Sequence, residues 1–409
     1  VTDLSVAERI ANRDGLSVCQ AWSDGDPKQA QGQSEEDFQK SIRDYLPQMG
    51  LPWRQPTAAP WNLVWDHEYS GLAVGFTAET VEAALGHRAE MLASNPNTIF
   101  LMQLLWEGVR EEEVVTYFPA DSEYWKTDAP DANGIRKFNL ELEAVRELLV
   151  TRAAAGVESG VFDGVMLDLW NTSWDSTERE DDENDVNRLL LMELREALGP
   201  DAVIIVNANL RKLPWSKDYI NGIFMEVTEL LKGADGERYV LSEYKNTRRP
   251  IWSDIIGMLD YNESMMGQSG TWVQTNCLEA QFRSLWTASK EDQALWGSQI
   301  ARALATLAMT NSDGYSTLNS ERWYSFWDEE VGRPLEDRQT LASGVNRPPE
   351  GYFRREFENG TVIHNPCCDG DVTITFEENR VRATDQVGTA AAKEFTVQEE
   401  DGDIFRVAE

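Results

Sequence analysis

Two carboxylates stand where apolar runs stop. Asp168 follows VML within residues 162–170 (FDGVMLDLW), and Glu226 follows IFM within residues 222–227 (GIFMEV). A carboxylate beside such runs is expensive to bury unless it is paired or hydrogen-bonded. Hydrolysis of a glycosidic bond requires such a pair: one acid protonates the leaving oxygen, and a second carboxylate attacks the sugar or activates water. Asp168 and Glu226 are therefore the candidate catalytic residues. Further polar residues sit at the ends of other apolar runs and are candidates for binding sugar hydroxyls: Asp66, His67, Glu68, Gln103, Glu107, Asn171, Asn207, Asn209, Gln274 and Asn276. Trp106 and Trp170 offer flat apolar faces for pyranose rings. Asp66 and His67 are neighbours on one strand and cannot both point inward, so part of that first trio is structural. Any strand-end carboxylate can instead cap the helix that follows it.

Other chemistries find little support. His67, His87 and His364 are scattered, with no pair at the spacing of a helical zinc site. Cys19, Cys277, Cys367 and Cys368 contain no C-x-x-C pair and form no disulfide framework, although the adjacent Cys367 and Cys368 could bridge or stay free. The acidic run at 178–185 (EREDDEND) lacks the spacing of a calcium loop and reads as a solvated loop or helix start. Nucleotide-binding and serine-hydrolase motifs are missing. The reading therefore includes no metal and no cofactor.

Elements able to position these residues alternate along the chain. Short apolar runs at 16–22, 62–69, 98–107, 162–170, 202–210, 222–227, 271–277 and 313–319 read as strands. Between them lie helical patterns at 34–46, about 77–94, 140–156, 183–198 and 294–310. Eight strands in this order predict a (β/α)₈ TIM barrel over residues 1–345, whose site lies at the C-terminal ends of the strands. A doubly wound open sheet would be expected to carry a glycine fingerprint, which is missing. From residue 346 the pattern changes to period two, with turns at Glu358-Asn359-Gly360 and Asp401-Gly402-Asp403. Residues 346–409 are read as a small all-β, sandwich-like domain.

Composition limits the partners. The net charge is −34, with 71 acidic against 37 basic residues. Such a field opposes nucleic acid and anionic membrane surfaces. No run of 18 apolar residues would span a bilayer. A carbohydrate is the expected partner, and the oligomeric state is left open.

With these residues in view, the chain resembles bacterial glycoside hydrolases of TIM-barrel type. The likeness rests on Tyr117–Trp125 (YFPADSEYW), then Phe138-Asn139-Leu140, then Phe162-Asp163-Gly164-Val165-Met166-Leu167-Asp168, and later Asn221–Glu226 (NGIFME). The ends at 354–366 and 399–407 resemble the β domain that closes many such enzymes. The resemblance implies an extracytoplasmic, secreted or periplasmic polysaccharide hydrolase, and carries Asp168 and Glu226 over by position. Asp168 is followed by Leu169-Trp170 where relatives have a second acid. A barrel that only binds carbohydrate is the alternative. A polysaccharide lyase is disfavoured by the missing basic cluster.

Overall fold

The computed structural model describes residues 4–12, 15–20, 62–66, 78–110, 118–119, 121–132, 134–170, 175, 180–228, 230–232, 239–241, 251–266, 276–281, 290–312, 315–318, 324–341, 351–366, 370–383 and 390–408. Eight parallel strands form one sheet in chain order: β1 (Cys19–Gln20), β2 (Leu63–Asp66), β3 (Ile99–Gln103), β4 (Gly164–Leu167), β5 (Val203–Asn207), β6 (Gly222–Thr228), β7 (Cys277–Gln281) and β8 (Tyr315–Leu318). β1 and β8 lie side by side, so the sheet closes on itself. This is the expected TIM barrel. The expected helix at 34–46 lies outside the described residues.

Alternation divides each strand into two faces. Cys19, Leu63, Trp65, Ile99, Leu101, Met166, Val203, Ile205, Phe224, Cys277 and Tyr315 fill the barrel interior. The intervening Val64, Phe100, Met102, Val165, Ile204, Val206, Ile223, Met225 and Leu278 belong to the core shared with the surrounding helices. Among the described residues those helices are α2 (Ala78–Ser94), α3 (Glu143–Glu158), α4 (Val186–Leu198), α5 (Ile251–Met266) and α6 (Lys290–Asn311), while α1 (Val6–Ala11) packs Ile10 against the barrel interior. Short α1 starts with a Ser5–Glu8 capping box and sends Arg9 to Asp163 under the barrel. In α4, Asp185 accepts from the Asn187 N–H, and Leu190, Leu191 and Leu194 form the buried face. Asp185 closes the acidic run, and Asp181 pairs with Arg188 at 3.3 Å, so this end of the run serves a helix start.

The seventh strand departs from expectation. It begins at Cys277, where the sequence pattern placed its end, and most of the expected strand lies outside the described residues. Pairing with β6 sets Cys277 opposite Phe224, which turns Cys277 into the barrel and Asn276 below it. Cys19 and Cys277 form a buried disulfide inside the barrel, with Cα atoms 6.8 Å apart. The spacing of the cysteines alone gave no sign of it. Cys367 and Cys368 lie outside the described residues.

The C-terminal part is a six-stranded antiparallel sheet: β9 (Gln339–Leu341), β10 (Tyr352–Phe357), β11 (Gly360–Asn365), β12 (Val372–Arg382), β13 (Ala392–Val397) and β14 (Asp401–Val407), in the order β9-β10-β11-β14-β12-β13. Its first strand thus comes from residues before 346. β12 lies between β13 and β14, with a register irregularity between Thr375 and Arg380; Arg380 pairs with Ala392 of β13 on one side and Val407 of β14 on the other. Val362 and Ile404 face the barrel helices, while Ile363 and Phe405 pack with Phe376, Phe395 and Val397. Helix α6 is buried from Ile300 to Met309, except at Arg302, because it lies between barrel and sheet. A Cβ at Gly402 would fall 1.8 Å from Thr306 Oγ1, so the close approach of β14 to α6 requires glycine there.

Candidate active site

The period that fills the barrel also selects its mouth. Continuing inward from Leu101, Met166, Ile205, Phe224 and Cys277 gives Gln103, Asp168, Asn207, Glu226 and Glu279. The structure brings the two candidate catalytic carboxylates onto a single amide. Asn207 Nδ2 donates to Asp168 Oδ1 at 2.7 Å and to Glu226 Oε2 at 3.1 Å. Laid end to end, those lengths bound the oxygen separation at 5.8 Å.

A second donor fixes Asp168. The Leu169 N–H reaches Oδ1 at 2.8 Å, in a turn where Leu169 has φ 54°. Trp106 Nε1 donates to the Asp168 carbonyl at 2.6 Å, and the Trp170 N–H donates to the Asn207 carbonyl at 2.7 Å. The Trp106 and Trp170 rings are buried against each other at 4.6 Å, and Trp170 Nε1 reaches Ser216 Oγ at 3.1 Å. The two indoles therefore clamp the strand-end backbone rather than offering open faces to a sugar. Asp175 accepts the Trp215 and Ser216 N–H groups, each at 2.9 Å, and joins the segments that follow β4 and β5. Burial pushes its carboxyl above the usual range despite these donors.

Glu279 is the inward carboxylate that sequence reasoning missed. It is 1 % exposed and stands opposite Glu226 in the β6–β7 register. Its signal was the C-L-E alternation, legible only once Cys277 is known to face inward. Gln103 is buried, and its Oε1 has no hydrogen-bond partner among the described residues. Asn209 lies two residues beyond Asn207 in a left-handed turn (φ 51°).

Several expected residues lie elsewhere. Glu107 pairs with Lys137 beside the small hairpin of Gly108–Arg110 and Ile135–Lys137. Asn276 is at the opposite, N-terminal end of the barrel: its Oδ1 accepts the Ile223 N–H at 2.9 Å, and its Nδ2 reaches Glu263 at 3.2 Å. It belongs to a repeated device of the barrel floor, in which the residue before a strand accepts a backbone N–H from the neighbouring strand or its approach. Asn62 does so for Val18, Asp163 for Phe100 and Asn221 for Ile204. Asp66 ends β2, but its side chain, with His67, Glu68, Asn171 and Gln274, lies outside the described residues.

The floor also explains the D-G that precedes Asp168. Asp163 accepts from Arg9 and Arg88, with contacts of 2.5 and 2.7 Å. Burial raises its proton affinity, but the two guanidinium groups outweigh this and hold the carboxyl below the usual range. A Cβ at Gly164 would lie 1.9 Å from the Val203 carbonyl oxygen, so only glycine fits. The motif thus joins a structural aspartate below the strand to Asp168 above it.

By fold, the chain is similar to a noncanonic maltogenic alpha-amylase, AmyB, from Thermotoga neapolitana: TM-score 0.53, 12 % identity, covering 97 % of this chain and 99 % of that one. It is also similar to an isomalto-dextranase of Arthrobacter globiformis T6 complexed with panose: TM-score 0.50, 12 % identity, covering 100 % of this chain and 75 % of that one. The chain has the fold of these two enzymes. That fold is the TIM barrel with a C-terminal β domain. No family model matches the sequence, and no curated protein matches it. Among the described residues, no group of three or more His, Cys, Asp or Glu could hold a metal ion.

Proposed function

We propose that this protein is a glycoside hydrolase in which Asp168 and Glu226 cleave the bond with retention of configuration. The observation that carries this reading is the one amide that donates to both carboxylates. An oxygen separation of at most 5.8 Å suits retaining enzymes, whose carboxyl groups stand roughly 5–5.5 Å apart, whereas inversion needs roughly 6.5–9.5 Å to admit water. Two N–H groups on Oδ1 suit Asp168 to the role of ionised nucleophile, and Glu226 to that of acid. Asp168 would attack the anomeric carbon as its bond to the leaving oxygen breaks and the Glu226 proton moves to that oxygen. Water then gives a proton to Glu226, and its oxygen replaces Asp168 on the sugar.

The buried Cys19–Cys277 disulfide supports folding in an oxidising compartment, consistent with a secreted or periplasmic enzyme. The test is a panel of starch, dextran, xylan, chitosan and galactomannan, with the anomer of the first product read by NMR. Retention is expected. Asp168→Asn and Glu226→Gln should each lower turnover at least ~10²–10⁴-fold, the range of general acid–base catalysis. Glycan binding without any product would instead identify a non-catalytic carbohydrate-binding barrel, and unsaturated products a lyase.

A further inference from the structure

Leu169 is placed at a backbone cost that glycine would not carry. Its φ of 54° lies in the left-handed region, where a branched side chain is disfavoured and glycine or asparagine is the usual occupant. Such strain persists where the surroundings over-determine the backbone, and it concentrates at functional sites. Here both sides are pinned. The preceding carbonyl is held by Trp106 Nε1, the Leu169 N–H by Asp168 Oδ1, and the following N–H by the Asn207 carbonyl. All these contacts use backbone atoms of the turn or the Asp168 side chain. Glycine at position 169 would keep every one of them without strain.

What glycine would not supply is the isobutyl group. That side chain is 56 % exposed, while Trp170 beside it is fully buried. Only Leu85, Leu335 and Val407 are comparably exposed large apolar residues among those described. Leu169 alone of these stands next to the carboxylate pair, at the C-terminal mouth of the barrel. We propose that Leu169 is a specificity-determining residue whose side chain packs against the apolar C–H face of the sugar bound beside Asp168. This rests on the hydrolase reading above and adds a subsite wall to it. The strained turn is then retained for the side chain it presents.

The test compares wild type, Leu169→Gly and Leu169→Met on whichever panel glycan wild type cleaves. Losing contact with about two methyl-sized groups corresponds to about tenfold in affinity. Leu169→Gly should raise KM about tenfold and leave kcat within about twofold. Leu169→Met, which restores apolar area, should return KM to within about threefold of wild type. Strain relief and added chain entropy oppose each other, so the glycine variant should melt within about 2 °C of wild type. An unchanged KM in Leu169→Gly would overturn the proposal while leaving the hydrolase reading intact. A fall in kcat alone would also overturn it, because the turn and not the side chain would then matter. If wild type cleaves no glycan, the hydrolase reading fails and the proposal with it.

Discussion

The disulfide crosses the seam of the barrel. Among the described residues, strand β1 comprises Cys19 and Gln20, paired to Leu63 and Val64 of β2. Among the described residues no ladder joins β1 to β8, although the two lie side by side. The Cys19–Cys277 bond reaches past β8 to β7 and ties the first strand to the strand bearing Glu279. It joins residues 258 apart in sequence. Chain-entropy arithmetic for a loop of that size gives about 5.5 kcal/mol, just above the roughly 2–5 kcal/mol seen when native disulfides are removed. We expect Cys19→Ala/Cys277→Ala to lose about 4–5 kcal/mol. Urea unfolding followed by tryptophan fluorescence provides the assay. With a slope of about 3 kcal/mol/M, the midpoint should fall by about 1.5 M. Both cysteines are fully buried, so a reductant should act on the native protein only slowly. A midpoint shift below about 0.3 M would refute the seam argument, as would an intact mass showing two free thiols in the folded protein.

Other expectations follow from single contacts. Asn207→Ala removes the shared donor, so kcat should fall at least tenfold while circular dichroism stays native; wild-type kcat would show the carboxylates are held by other means. Asp163→Ala leaves Arg9 and Arg88 buried without their carboxylate and should destabilise by about 3–5 kcal/mol, read as a lower urea midpoint. His364 is buried against α6, with Nδ1 3.1 Å from Thr306 Oγ1, and burial pushes its pKa down to about 3. The unfolded chain therefore takes up this proton first. Its contribution to stability is complete above about pH 6.5 and declines as pH falls from there towards 3, by about 2 kcal/mol at pH 5. Unfolding midpoints in His364→Gln should lack that part of the pH slope.

The local pattern of residues determined a good part of this molecule. Short apolar runs marked the barrel strands, and their order with helices marked a barrel, because burial on both faces of a parallel strand leaves a continuous apolar run. The same runs stop where water begins, which is why Asp168, Asn207 and Glu226 could be picked from strand ends. Partnership was decided only in three dimensions. TWVQTNC has the aromatic and β-branched content of a strand, yet pairing with β6 starts the ladder at Cys277, sends Asn276 to the floor and brings Glu279 inward. Trp106 and Trp170 look like sugar platforms in one dimension, but their rings pack on each other and both are buried. Glu107 ends an apolar run like the catalytic candidates, and a lysine 30 positions away claims it. Cys19 finds Cys277 because closing the cylinder brings the first strand beside the last two. A sequence records which residues avoid water and at what period; which group lies opposite them depends on register and closure, and these are set by the packing of the whole chain.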